Sequence, residues 1–405
     1  MLADEVQRIT GRSAHAHRAG VSLLANASDI MALNLYSRLA QRVLIRVAHQ
    51  GYRSEDDIYA ASHEVDWENW FTTREMFRID ITASNSPLKS LNFAALRVKD
   101  GLVDRFRERT GERPSVDTHR PHIRVYVHLS ADEVSLFIDS SGDPLFKRGW
   151  RQDKGDAPLK ETLAAALIVA TGWDPMGEQS LYDPCCGSGT IAIEAAQMAC
   201  GIAPGLQRRF AFERLRGFDR AAWNELLQTA QAKVHRGAIE VRVFGSDVSH
   251  RMVDFAQRNA ERAGVSHALE LRGGDALQRM PPTTTPGVML LNPPYGERID
   301  VAGVAGATGG GNRRFRASAE ATSTRTPAGL QTDTTASAFY TALAAHWKTH
   351  FDDWTAWVLS PDMKLPGAMR LRESRRVPIY NGPIECRLFR FDLVARGKTA
   401  QVSEA

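Results

Sequence analysis

Cysteine is scarce: the chain has four in 405 residues, Cys185, Cys186, Cys200 and Cys386. None forms a CxxC pair or joins a histidine cluster at zinc spacing, so neither a disulfide framework nor a zinc site has a basis in the sequence. Free thiols fit a reducing, cytoplasmic location. No run of about 18 apolar residues occurs, which excludes a membrane-spanning helix as an expectation. Met1 to Ile30 lacks the unbroken apolar stretch of a secretory signal. Excess charge is also missing. Residues 1–155 hold 22 basic against 21 acidic side chains and the rest 29 against 26, so no strongly basic arm announces a polyanionic partner. What remains is an ordinary globular profile, 43% hydrophobic and 24% charged, in a chain long enough for two or three domains.

Patterning divides the chain near residue 151. In residues 1–151, Leu33 to Arg46 reads as a helix with Leu35, Leu39 and Val43 near one face. Met76 to Ser84 alternates as a half-buried strand. Phe93 to Arg107 is predicted helical with a stripe of Phe93, Leu96, Val103 and Phe106. His122–His128 and Glu133–Ser140 read as paired strands, giving an α+β domain. In residues 152–397, helix signals (159–170, 190–200, 220–235, 252–263) alternate with strand signals (180–183, 240–247, 269–271, 288–291, 354–360). This is the rhythm of an α/β doubly wound sheet. A closing hairpin, 376–380 and 384–394, is expected to turn on Asn381-Gly382. Residues 301–337, rich in Gly, Ala, Thr and Ser with Arg313, Arg314 and Arg316, read as a flexible insertion. It is either a solvated loop or a mobile basic lid.

Four motifs lie at strand ends. Asp183-Pro184-Cys185-Cys186-Gly187-Ser188-Gly189-Thr190 joins a strand to a helix, and its glycines let backbone approach a ligand closely. No Gly-Lys-Ser/Thr follows, so it is no P-loop, and GxGxxG is absent. Gly245-Ser246-Asp247 offers a carboxylate to a ribose, or a helix cap. Asp275, in Gly273-Gly274-Asp275-Ala276, can accept an adenine amino group or simply serve a turn. Leu291-Asn292-Pro293-Pro294-Tyr295-Gly296 is the sharpest signal. The Asn292 side-chain carbonyl and the Pro293 backbone carbonyl can hold a planar exocyclic amine with its lone pair toward a methyl donor. Tyr295 can stack on the extruded base, and the prolines stiffen the loop. No metal is needed for such a transfer, which rests on in-line positioning. No Ser-His-Asp or Cys-His nucleophile set is present.

In this order the motifs resemble class I methyltransferases that act on amino groups. Ile138–Arg151, Ala157–Ala166 and Tyr380–Phe389 carry the resemblance further, to the N-terminal, guanine-N2 half of the bifunctional 23S rRNA methyltransferase family, over about Asn34 to Val394 outside the insertion. The resemblance implies a ferredoxin-like region plus a THUMP RNA-binding module in 1–151, and a Rossmann-like methyltransferase domain in 152–397. It implies S-adenosyl-L-methionine as cofactor and guanine N2 of 23S rRNA as acceptor. By motif, Asp183, Cys186, Gly187, Gly189 and Thr190 would line the cofactor, Asp247 its ribose and Asp275 its adenine. Asn292, Pro293 and Tyr295 would hold the guanine amine.

The family's first strand has no counterpart ahead of the helix that Leu2–Thr10 resembles. Its second methyltransferase half has no counterpart either, so one activity is expected. Lys147, Arg148 and Arg151 around Trp150 could meet RNA phosphate and a base, or form a solvated linker with a buried Trp150. The competing readings are a tRNA guanine-N2 methyltransferase, a protein glutamine methyltransferase, and a non-catalytic RNA-binding assembly factor. The oligomeric state has no signature in the sequence.

Overall fold

The computed structural model describes residues 1–17, 20–155, 158–235, 242–293 and 332–394. These residues form two compact units. One gathers Met1–Gly149 with Ile202–Val234, the other Trp150–Gly201 with His235 onward.

The first unit begins with helix α1 (Leu2–Thr10), a short antiparallel pair β1 (His15–His17) and β2 (Gly20–Ser22), and helix α2 (Ala27–Tyr36). Asn26 and Asp29 close a reciprocal capping box that starts α2. The helix does not run on to Arg46 as the Leu35, Leu39, Val43 spacing predicts. The backbone turns extended at Ser37. There the Ser37 Oγ donates to the Glu5 carboxylate (2.6 Å) and the Arg38 N–H to the same group (2.9 Å). These long-range bonds replace the next helical turn, and strand β3 (Leu44–Gly51) follows.

Helix α3 (Glu55–His63), strand β4 (Phe77–Ala83), helix α4 (Leu91–Thr110) and strands β5 (Ile123–Leu129) and β6 (Glu133–Asp139) complete a four-stranded sheet of order β3-β6-β5-β4, in which only β4 and β5 run parallel. Side chains of α3 and α4 share one core with the buried strand residues, Trp67, Phe71 and Phe77. Helices α3 and α4 approach closely at Gly101, where an added Cβ would lie 2.5 Å from the Tyr59 carbonyl oxygen. The expected stripe of α4 holds at Val103 and Phe106, both buried, and fails in the first turns. Phe93 and Leu96 are 49% and 50% exposed, whereas Ala94, Val98, Leu102 and Phe106 are buried.

Helix α7 (Arg220–Ala232) lies within the residues read as one alternating domain, yet it belongs to the first unit. Its Trp223 and Ala230 join Phe210 and Phe212 in a core shared with Met31, Leu35 and Leu145. The Trp223 ring meets Phe212 edge-on at 5.0 Å, an arrangement that suits ring quadrupoles.

The second unit is a seven-stranded sheet. Its strands are β7 (Leu181–Asp183), β8 (Val243–Asp247), β9 (Leu269–Gly273), β10 (Val288–Leu291), β11 (Thr355–Ser360), β12 (Arg375–Asn381) and β13 (Ile384–Asp392), in the order β12-β13-β11-β10-β7-β8-β9. Five central strands are parallel, and the hairpin β12–β13 is antiparallel to β11. Helices α5 (Glu161–Thr171), α6 (Thr190–Ala199), α8 (His250–Arg262), α9 (Thr332–His350) and α10 (Leu365–Met369) accompany them. This is the α/β class expected, with strands reading as unbroken apolar runs because both faces are covered. The hairpin turns one residue later than predicted. Asn381 pairs with Ile384, leaving Gly382 (φ 63°) and Pro383 as the loop.

Candidate active site

Chain order and sheet order part company at β7. From β7 the sheet grows through β8 and β9 on one side and through β10 and β11 on the other. Such a switch point opens a crevice at the carboxyl ends of the strands. The turn from Asp183 to Thr190 leaves β7 there, and Asn292 leaves the adjacent β10. Met289 pairs with Tyr182, so Asn292 stands about one strand spacing (~5 Å) from the Cys185 level.

One backbone bond ties the glycine turn to β8 and another closes the turn on itself. The Cys186 N–H donates to the Ser246 carbonyl (2.9 Å) and the Gly189 N–H to the Cys186 carbonyl (2.8 Å). Asp247 is central to the next layer. One of its carboxylate oxygens accepts the Gly187 N–H and the other the Ser249 N–H, both at 2.9 Å. The α8 N-cap is Ser249, so Asp247 steadies that start from outside the helix. Asp275 accepts the Leu277 N–H (2.9 Å) and thus closes its own turn.

The two glycines differ. Gly187 (φ +54°) has open space where a Cβ would project, whereas a Cβ on Gly189 (φ +85°) would lie 2.9 Å from Ala256 Cβ and 3.1 Å from Ile193 Cδ1. Gly245 is closed in as well, with Leu271 and Cys186 filling its Cβ position.

Burial shapes the acid–base character. Desolvation, with Asp247 nearby, pushes the Asp183 carboxyl up to about 8. Burial also raises Asp247, against the pull of its two N–H donors. The thiols of Cys185 and Cys186 are pushed well up by burial and then by neighbouring carboxylates, so they stay protonated and poorly nucleophilic.

Two supports went unseen in the sequence. Asn259 is fully buried, donates to the carbonyls of Ser188 (3.2 Å) and Asp153 (2.8 Å), and accepts the Gln152 and Asp153 N–H groups. It fastens the glycine turn to the segment at Gln152 and Asp153 that precedes α5. Tyr182 Oη shares a hydrogen bond with Ser246 Oγ (2.8 Å). The Asn259 position was unreadable because an asparagine within a helix carries no periodic signal of its partners.

The basic cluster at 147–151 requires correction. Arg148 is 2% exposed and Trp150 1%. The Arg148 guanidinium donates to the Leu145 and Arg38 carbonyls. Arg151 pairs with Glu161 (2.8 Å) and donates to Thr190 Oγ1 (2.8 Å). These three are spent on internal contacts, and Thr190 presents its hydroxyl to Arg151. Lys147 alone is solvent-facing, paired with Asp143 (3.1 Å). Pro293 is buried and Asn292 half-buried. Tyr295 and most of the 301–337 insertion lie outside the described residues.

The donor set suits a hydroxyl-rich, cationic adenosyl ligand. Asp183, Asp247 and Asp275 stand at or just past the ends of three neighbouring strands, Gly187 in the turn after Asp183 has open space where a Cβ would project, and no Lys or Arg occurs within 183–190 to serve a phosphate. Among the described residues no group of three or more His, Cys, Asp or Glu side chains could hold a metal ion. No helix among them is long and apolar enough to cross a membrane.

Fold and strand-end loops together define a class I methyltransferase. Residues 148–306 match the RMKL-like methyltransferase domain, residues 52–139 the THUMP domain, and residues 1–44 the RlmL ferredoxin-like domain. By these matches the chain carries a THUMP domain and an RMKL-like methyltransferase domain. It is 35% identical over 388 residues to ribosomal RNA large subunit methyltransferase K/L of Shewanella baltica strain OS185, covering 95% of this chain and 50% of that protein. With the protein of the same name from Photobacterium profundum it shares 32% over 409 residues, all of this chain and 53% of the relative. The chain thus spans about half the length of the curated relatives it matches. Among solved structures, SMU.472 in complex with SAH superimposes with a TM-score of 0.80 at 25% identity, covering 96% of this chain and 94% of that one. S-adenosylmethionine is the cofactor of this fold.

Proposed function

We propose that the chain methylates the exocyclic N2 of a guanine in 23S rRNA. The observation that carries this reading is the placement of Asn292 just past the end of the strand next to the glycine turn, at the switch point of the sheet. The names of the matched relatives direct the choice of substrate to large-subunit ribosomal RNA, and the matched THUMP domain supports an RNA partner. An rRNA substrate puts the work in the cytoplasm.

The bound cofactor supplies an activated methyl group on a sulfonium. Asp247 and Asp275 orient it through its ribose and adenine, while the turn through Asp183, Cys186, Gly187, Gly189 and Thr190 gives backbone to its polar tail. Thr190 and Cys186 act through their main chain, since the Thr190 hydroxyl is engaged by Arg151 and the Cys186 thiol is buried. Asn292 and the Pro293 carbonyl accept the two amine hydrogens, turning the nitrogen lone pair toward the methyl group. Tyr295 stacks on the flipped base. Positioning of this kind supplies most of the acceleration.

Mass mapping of nucleosides in 23S rRNA from cells with and without the gene tests the proposal. Loss of one N2-methylguanosine, restored by wild type and not by Asn292→Ala, is expected. Unchanged 23S rRNA with a lost mark in tRNA would move the activity to tRNA. Unchanged RNA of every class would leave the protein-substrate and non-catalytic readings.

A further inference from the structure

The carboxyl edge of the sheet has a second projection besides the Asn292 loop. Strand β13 runs antiparallel to β11, and its last pairing toward that edge is Arg387 with Ser360. Ile384, Glu385 and Cys386 therefore continue past the end of β11, and β12 follows them out to Asn381. Leu291 pairs with Val358, which sets Asn292 level with Leu359 and hence with Leu388 and Val377 across the hairpin. From those registers Tyr380 stands about three residues farther out than Asn292 and three strands aside, roughly 17 Å away for ideal strand spacings. At about 3.4 Å per stacked nucleotide, that is some five nucleotides of a single strand.

The tip is built to present an aromatic ring. Tyr380 is 66% exposed and Ile384 45%, whereas Ile379 and Cys386 behind them are buried. Gly382 in the left-handed region and Pro383 with its fixed φ make a tight two-residue loop, so the backbone that carries the ring has little conformational freedom left to lose. Met363, 45% exposed, and the exposed Lys364 follow Ser360 at the same edge. Pairing of β12 with a second copy of the chain is disfavoured. This edge strand carries Pro378, which lacks an N–H, together with Arg375 and Arg376.

We infer that Tyr380 is an RNA-contacting residue that stacks on a base of the substrate strand flanking the target nucleotide. The inference rests on the proposed RNA substrate, and it gives the catalytic unit a grip on RNA of its own. Base–aromatic stacking is sequence-tolerant, so the contact adds affinity and register more than base identity.

The test uses the full chain and a 23S rRNA transcript. Tyr380→Ala is expected to raise the KM for RNA by about 5- to 150-fold. Its kcat and its affinity for S-adenosylmethionine stay within about twofold, and Tyr380→Phe stays near wild type because the ring is retained. An unchanged KM in Tyr380→Ala overturns the inference while leaving the proposed function standing. Equal losses in Tyr380→Ala and Tyr380→Phe overturn it too, by pointing to the hydroxyl. Should wild type modify no RNA, filter retention of the same transcript decides. Weaker retention by the folded Tyr380→Ala variant keeps the inference although the proposed reaction falls; equal retention, or none by wild type, overturns it.

Discussion

Replacing Gly187 and Gly189 by alanine, one at a time, separates the binding role of the glycine turn from its structural role. Both residues hold left-handed backbone, which costs an L-residue about 1–2 kcal/mol. At Gly187 nothing lies within 4 Å of the added methyl, so the backbone cost stands alone. At Gly189 the methyl is driven to 2.9 Å from Ala256 Cβ and 3.1 Å from Ile193 Cδ1, adding an overpacking cost of about 1–3 kcal/mol. Urea denaturation should show a loss of about 1–2 kcal/mol for Gly187→Ala and about 2–5 kcal/mol for Gly189→Ala. Titration with S-adenosylhomocysteine should reverse the order of interest. The Gly187 methyl fills space at the cofactor turn, and an affinity loss of at least about tenfold, ~1.4 kcal/mol, is expected from the better-folded variant. Wild-type affinity in Gly187→Ala would refute the assignment of that open space to the cofactor. Wild-type stability in Gly189→Ala would refute the packing argument.

Asn292→Ala is expected to lose most turnover in a methyl-transfer assay on RNA while its cofactor dissociation constant stays within about twofold, because its acceptor serves the base; an equal loss of cofactor affinity would contradict that role. Asp247→Ala should weaken cofactor binding by more than about tenfold and also lower stability by about 1–3 kcal/mol, since the Gly187 and Ser249 N–H groups lose their acceptor. Unchanged affinity alongside the stability loss would show Asp247 to be a brace only. For Asp183 the folded carboxyl titrates near 8 against an ordinary value of 3.8. The folded state therefore holds the proton more tightly, and stability falls as pH rises from about 4 to about 8, by up to ~1.4 kcal/mol per pH unit. Urea midpoints across that range should decline in the cofactor-free protein and flatten in Asp183→Asn; parallel profiles would rule the group out.

Much of the second unit was legible because a buried parallel strand writes itself as an apolar run ending in a turn. Leu181–Asp183, Val243–Asp247 and Val288–Leu291 lie inside or beside the spans expected, and each hands over to a motif. The first unit was harder. Leu35, Leu39 and Val43 imitate a helical stripe, and only the distant Glu5 carboxylate, unseen in the sequence, ends the helix at Ser37. The Asn26–Asp29 box that starts the same helix was readable and was passed over. Arg148, Trp150 and Arg151 have the composition of an RNA contact, and composition does not distinguish a phosphate from a carbonyl oxygen or a glutamate as the partner. Phe93 and Leu96 fall on the period of α4 yet on the wrong side of it, because periodicity gives an interval and not a phase.

The membership of Ile202–Val234 in the first unit has a consequence for how the chain is made. A protein emerges from the ribosome from its N-terminus at about 5–20 residues per second. The core around Met31, Leu35 and Leu145 waits for Phe210, Phe212, Trp223 and Ala230, and Val234 lies 85 residues beyond Gly149. For several seconds after its main sheet is synthesised, this unit has an unfinished apolar wall. β7 and the glycine turn emerge within that interval and wait longer still for β8 to anchor them, so the first unit has all its residues before the sheet of the second does.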